Sequence, residues 1–199
     1  MEKPSFICSA LLVQALLLGC GNIRVDLTFD TLNTGTIRLE YEVLPEFRHM
    51  GQQNHPLNWP TTQEEWRTLV SRVQGLSLSN INIQDRMGGL TVLVQLQFAN
   101  LQALESLAIF LGQKFTVIGI QNVYTLNLEY QTPSLATAQL RNLTRLALDG
   151  KSITWNVTAP RTVRDSGRAQ LGGGGRNLSV TDSLVSVLDG TIRTWRAIW

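Results

Sequence analysis

Apolar and polar positions alternate with a period of two from Ile23 to Asp30. Ile23, Val25, Leu27 and Phe29 fall on one side and Arg24, Asp26, Thr28 and Asp30 on the other. The same alternation recurs in Ile37, Leu39, Tyr41 and Val43 against Arg38, Glu40 and Glu42. Such a period predicts half-buried strands, and the polar turn Thr31–Gly35 between them predicts an antiparallel hairpin. Pro45 to Pro60 reads as a loop. The spacing then changes to three and four: Trp66, Leu69, Val70 and Val73 share one helical face, with Thr61-x-x-Glu64 as its capping box and Gly75 as its stop. A third strand, Leu76–Asp85, slips phase near Asn80, the mark of a bulge. Gly88-Gly89 turns into a strand whose Leu90, Val92, Val94, Leu96 and Phe98 share a face. Asn100 caps a second helix with Leu101, Leu104, Leu107, Ala108 and Leu111 inward and Gly112 as its stop.

Beyond this point the pattern is weaker. Thr116–Ile120 is ambiguous, and Tyr124, Leu126, Leu128 and Tyr130 mark a strand. Residues 134–148 fit a helix loosely, with a strand from Arg145 as the alternative. Ile153–Thr158 reads as a strand stopped by Pro160, and Arg161–Arg176, with four consecutive glycines, as a flexible loop. Leu178–Thr181 and Thr191–Trp199 are the last strand candidates. The order ββαββα followed mostly by strands predicts an α+β fold: a mostly antiparallel sheet with two or three helices packed on one face.

Before the first strand the pattern is of a different kind. Phe6 to Leu18 is an apolar run of about a dozen residues after Lys3, interrupted by Ser9 and Gln14. A bilayer span needs roughly 20 apolar residues, so this run has the length of a signal-peptide core instead. It ends in Leu17-Leu18-Gly19-Cys20, which looks like a bacterial lipobox; the competing reading is an uncleaved core segment. The expected organisation is a lipoprotein signal peptide over 1–19 and a single domain over 20–199. On that reading Cys20 is expected to be acylated, with palmitate among its chains, and Cys8 to be removed with the leader. The expected location is the extracytoplasmic face of the cell membrane or outer membrane. Two or more acyl chains hold a protein to a bilayer stably.

Composition narrows the function without naming it. The 199 residues carry a formal net charge of +2, with 43% apolar and 16% charged side chains. That balance excludes a nucleic-acid binder working by phosphate neutralisation. Two cysteines make neither a disulfide scaffold nor a four-ligand zinc site. The near-neutral sum conceals an asymmetry. Residues 20–140 hold 7 basic and 10 acidic side chains, and residues 141–199 hold 9 basic and 4 acidic.

Arg161, Arg164, Arg168 and Arg176 crowd one loop opposite Asp165 and are candidate contacts for anionic headgroups, the alternative being a solvated basic loop. Gly172–Gly175 lacks the Gly-Lys-Ser/Thr and the strand-to-helix frame of a phosphate loop, so a hairpin tip is the better reading. His49 and His55 lack metal-ligand spacing, and Ser166 in Asp165-Ser166-Gly167 is not a nucleophile elbow. Glu64 and Glu65 serve a helix N-terminus. Trp195 and Trp199 share a face of the last strand, as core residues or as the wall of a lipid cavity. No catalytic residue, metal or cofactor is expected.

Three stretches carry a family resemblance: the lipobox cysteine followed at once by a strand and the hairpin "NTGTIRLEYEV"; "LTVLVQLQFANLQALESL", a strand passing into a helix; and "KSITWNVTAPRTVRDSG" ahead of "VTDSLVSVLDGTIRTWRAIW". In these the chain resembles the LppM-domain family of bacterial envelope lipoproteins. The resemblance implies an α+β domain anchored by lipid that recognises envelope lipid or glycolipid and carries no catalytic residues. Only Cys20 matches a position with an assigned role. The alternative is a scaffolding lipoprotein that binds protein partners through an exposed strand edge.

Overall fold

The computed structural model describes residues 20–43, 60–86, 89–110, 113–120, 123–130, 142, 145, 146, 148–190 and 194–199. Among these residues ten strands form two sheets. The larger contains β1 (Cys20–Phe29), β2 (Gly35–Val43), β3 (Leu76–Arg86), β4 (Gly89–Phe98), β7 (Ser152–Thr158), β8 (Gln170–Leu171) and β9 (Asn177–Ser183), in the order β3-β4-β2-β1-β7-β9-β8. The smaller contains β5 (Gln113–Ile120), β6 (Val123–Tyr130) and β10 (Thr194–Ile198), in the order β10-β6-β5. Three helices are described: α1 (Gln63–Arg72), α2 (Leu101–Phe110) and α3 (Leu184–Leu188).

The period-two pattern fixes which face of the large sheet is buried. Register aligns Ile81, Val94, Leu39, Val25, Trp155 and Val180 in one row across β3, β4, β2, β1, β7 and β9. Val25, Leu39, Val94, Trp155 and Val180 are buried, and Ile81 packs against them. The β3 register shifts between Leu78 and Asn80, where the phase slip predicts a bulge. The extra residue keeps both Leu78 and Ile81 on the core face, opposite Leu96 and Val94. The opposite face carries the interleaved Arg24, Asp26, Thr36, Arg38, Glu40, Gln95, Gln97, Thr154 and Asn156.

The buried face has two covers. Over β2 and β3, α1 inserts Trp66 and Leu69, and the Trp66 indole donates to Tyr41 Oη at 3.1 Å while Tyr41 donates to the Pro60 carbonyl. Over β1, β7 and β9 lies the small sheet, contributing Phe115, Leu126, Leu128, Trp195, Ala197 and Trp199. Aromatic contacts join the layers: Phe115 stacks on Trp155 with centroids 6.4 Å apart, and Trp199 meets Phe29 at 5.5 Å.

The α+β class and the mostly antiparallel sheet hold, with four differences from the sequence expectation. The cover is half helix and half sheet, since β5, β6 and β10 pair with one another as a separate layer. β1 pairs with β7 in parallel, Ile23 opposite Ile153 through Thr28 opposite Thr158, because alternation within a strand does not encode the direction of its partner. The capping box lies one residue later: Thr62 accepts from the Glu65 N–H at 3.2 Å, and the Glu65 carboxylate accepts from the Thr62 N–H at 3.1 Å and the Thr61 N–H at 2.7 Å. The stretch 161–176, expected as a flexible loop, contains β8 paired with β9, and Asp165 within it bridges Ile198. Most of residues 134–148, the Gly88 turn, Leu111 and the Gly112 stop lie outside the described residues.

Two glycines are demanded by the fold. Gly75 has φ 85°, a conformation that an L side chain resists, and it ends α1 so that β3 can begin. At Gly35 a Cβ would overlap the Thr28 carbonyl oxygen and lie 2.8 Å from the Phe98 ring.

Candidate functional site

The described residues hold two polar features that packing alone does not explain, and the segment after β7 builds both. Ala159 N–H donates to the Arg176 carbonyl at 2.9 Å and Val163 N–H to the Gly175 carbonyl at 2.8 Å, fixing this segment to the glycine turn ahead of β9. Arg164 N–H donates to the Ile198 carbonyl at 2.7 Å, and Asp165 bridges Ile198 in antiparallel fashion. The chain then runs beside β10, where Arg168 Nε donates to the Thr194 carbonyl at 3.4 Å. It turns back as β8 against β9. Gly173–Gly175 form a 3-10 turn at this hairpin's tip, in keeping with a hairpin rather than a phosphate loop.

The first feature lies between the two sheets. Asp182 sits on β9 at a core-facing position, opposite Ile153, with no exposure to solvent. Arg168 grips its carboxylate with both terminal nitrogens, Nη2 to Oδ2 at 2.6 Å, and Tyr130 Oη from β6 donates to Oδ2 at 2.8 Å. Burial first, and then the neighbouring Asp182 charge, push the Tyr130 phenol well above the ordinary tyrosine range. Hydrogen bonding to Asp182 likewise raises the Arg168 guanidinium. Tyr130 is therefore a neutral donor and Arg168 a fixed cation. Their chemistry holds the two sheets together and gives no group suited to acid–base catalysis near neutral pH. Sequence reasoning missed Asp182 and Tyr130. The available signal was an acid at an apolar position of a strand's period-two pattern.

The second feature is the basic end of the fold. The Arg161 guanidinium carbon lies 5.9 Å from the centroid of the Tyr124 ring. Arg176 Nε donates to the Ala159 carbonyl at 2.9 Å. Arg164 is exposed and its side chain meets no partner among the described residues. The backbone of all three lies at the end of the sheets where β1 finishes, through the Ala159–Arg176, Val163–Gly175 and Arg164–Ile198 hydrogen bonds. Arg168 separates from them, turned to Asp182 at the other end of β9, so its charge is already matched. Asp165 accepts from the Gly167 N–H at 2.8 Å and pairs with Arg196 at 3.5 Å. Ser166 lies in that turn.

Cys20 is the first residue of β1, opposite Val43 of β2. His49 and His55 lie outside the described residues. Glu65 is in the capping box and Glu64 in the first turn of α1. Trp195 and Trp199 are both buried in the core, and their indole N–H groups have no partner among the described residues. No helix among the described residues is long and apolar enough to cross a membrane.

No protein-family model and no curated protein matches the sequence. Among solved structures, the fold is similar to the folded domain of the Mycobacterium tuberculosis LppM protein, determined by NMR. The TM-score is 0.55 at 12% identity, over 89% of this chain and 90% of that one. At that identity the likeness is one of fold, and it agrees with the resemblance drawn from the sequence.

Proposed function

We propose that the chain is a bacterial envelope lipoprotein without enzymatic activity, held at a membrane through an acylated Cys20 and binding lipid or glycolipid. The observation that carries this reading is the position of Cys20. The lipobox-like Leu17-Leu18-Gly19-Cys20 ends at the residue that opens β1, so a leader cleaved there would release the folded unit intact, with the anchor on its first strand. The fold shared with the LppM domain supports a lipoprotein-type domain. The clustered Arg161, Arg164 and Arg176 support an anionic ligand, because each guanidinium offers planar donors that match phosphate or carboxylate. The core acid Asp182 is fully engaged by Arg168 and Tyr130, which supports a binding role over catalysis.

The test is metabolic labelling with an alkyne-bearing palmitate. The wild-type protein is expected to take up label, and Cys20→Ser to accumulate unlabelled as precursor; equal labelling of both would reject the anchor. Native mass spectrometry of protein purified from envelope lipid extracts then reads retained lipid.

A scaffolding role has one specific observation in its favour. β5 is an outermost strand of the small sheet and exposes Ile118 and Ile120, a strand edge of the kind to which another chain can add. A reproducible crosslink from β5 to one protein, with no lipid retained, would favour that reading.

A further inference from the structure

Cys20 and Phe29 stand at opposite ends of β1, nine residues apart, about 30 Å for extended chain. The contacts at the Phe29 end define a surface. Trp199 packs on Phe29, and Trp199 and Tyr124 exchange backbone hydrogen bonds of 2.9 and 3.0 Å. Tyr124 pairs with Gly119, so the last residues of β5 and the first of β6 lie at this end. Ile118 and Ile120 flank that glycine on the face of the small sheet that points away from the core, and they are 51% and 67% exposed. Ile118 stands opposite Thr125, which stands opposite Ile198. Arg161 lies over Tyr124, Arg164 is strung on Ile198, and Arg176 is fixed beside Ala159. The acids at this end are Asp165, engaged by Arg196, and Asp30 in the β1–β2 turn.

Isoleucines exposed on the outer face of this end, with three arginines carried to the same end and Arg161 on the core side over Tyr124, match the boundary of an anionic bilayer. Apolar side chains enter the acyl region there while cations meet phosphates. Nucleic acid would engage the arginines and leave the isoleucines in water. We propose that the end of the molecule opposite Cys20 docks on an anionic lipid surface, with Ile118 and Ile120 inserting and Arg161, Arg164 and Arg176 holding phosphates. Taken with the tether reading, on which this part rests, the docked surface is not the one that holds Cys20. The domain bridges two lipid surfaces, with β1 as the spacer.

Acylated protein purified from membranes is reconstituted in phosphatidylcholine vesicles and mixed with fluorescent vesicles. Vesicles containing 30% phosphatidylglycerol are expected to be recruited and pure phosphatidylcholine vesicles not, with recruitment falling as salt rises. Arg161→Gln with Arg164→Gln and Arg176→Gln is expected to weaken recruitment about fivefold per arginine. Ile118→Ser with Ile120→Ser is expected to weaken it by at least about tenfold. Because Arg161 and Arg176 also make local contacts, Arg164→Gln with Ile120→Ser, both on exposed side chains, is measured as well and should reduce recruitment in a protein of unchanged thermal midpoint. Equal recruitment of neutral and anionic vesicles, or undiminished recruitment by that last variant, overturns the docking surface. Should Cys20 carry no acyl group, the tether fails by itself. The docking surface is then read from flotation of the purified protein with the anionic vesicles, where absence of binding overturns it.

Discussion

Replacing Arg168 by Met isolates the worth of the link between the sheets. Asp182 has no exposure, and without Arg168 its carboxylate keeps only the Tyr130 hydroxyl. Removing one partner of a buried ion pair costs about 3–5 kcal/mol. The Arg168 side chain is 36% exposed, so water reaches the carboxylate from that side, and the expected loss falls to about 2 kcal/mol. For a domain of this length that lowers the thermal midpoint by about 4–8 °C.

The loss is measured at pH 7. Urea unfolding followed by tryptophan emission reads it, because Trp66, Trp155, Trp195 and Trp199 all leave the core. Removing the whole cluster, by Arg168→Met with Asp182→Leu and Tyr130→Phe, should recover most of the loss, because no buried charge is left alone. A single variant within about 0.5 kcal/mol of wild type at pH 7, or a triple variant no better than the single, would refute the reasoning.

Tyr130→Phe alone removes one hydrogen bond to a charged acceptor and should cost about 1.5–3 kcal/mol in the same unfolding assay at pH 7. Because the folded phenol is raised, wild type loses stability above about pH 10 while this variant does not, so the gap should narrow there. Gly35→Ala should cost at least about 3 kcal/mol, since the Thr28 carbonyl it meets is backbone, whereas Gly173→Ala, with nothing within 4 Å, should be near neutral by thermal denaturation. Thr62→Ala should cost about 1 kcal/mol and Thr61→Ala less, the reverse of what the first Thr-x-x-Glu in the sequence implies.

Periodicity made β1, β2 and β4 legible because each buries one face against a single core, so alternation reports burial directly. The β3 bulge was legible for the same reason: Leu78 and Ile81 can share a face only with an extra residue between them. The capping box was off by one because Thr61 and Thr62 both precede an acid by three residues, and it is Thr62, in an extended conformation, that closes the reciprocal bonds with Glu65. The second sheet was not legible, since β5, β6 and β10 look the same locally whether they extend the first sheet or stack on it. At the basic end, Arg161, Arg164 and Arg176 are close in sequence and in space. Arg168 belongs to the same run but serves Asp182, a partner 14 residues away that only tertiary structure reveals. The pairing of β5 with β6 brings Ile118 and Ile120 to the same end of the fold as these arginines, beyond the reach of any local pattern.

The place of β1 in the sheet order governs how the molecule can assemble. One edge of β1 is satisfied by its hairpin neighbour β2. The other waits for β7, whose residues lie 130 positions later, as the Asn156–Asp26 and Ser152–Asn22 bonds record. The β1–β2 and β3–β4 hairpins can join through β2 and β4 as soon as they are made, but the sheet is then half built and offers an open, apolar-faced strand to anything nearby. A long-range parallel closure of this kind is slow, and the waiting intermediate is prone to edge-to-edge association. Folding of this protein should therefore be limited by the arrival of β7, and any factor that shields the bare β1 edge should raise its yield more than one that assists the helices.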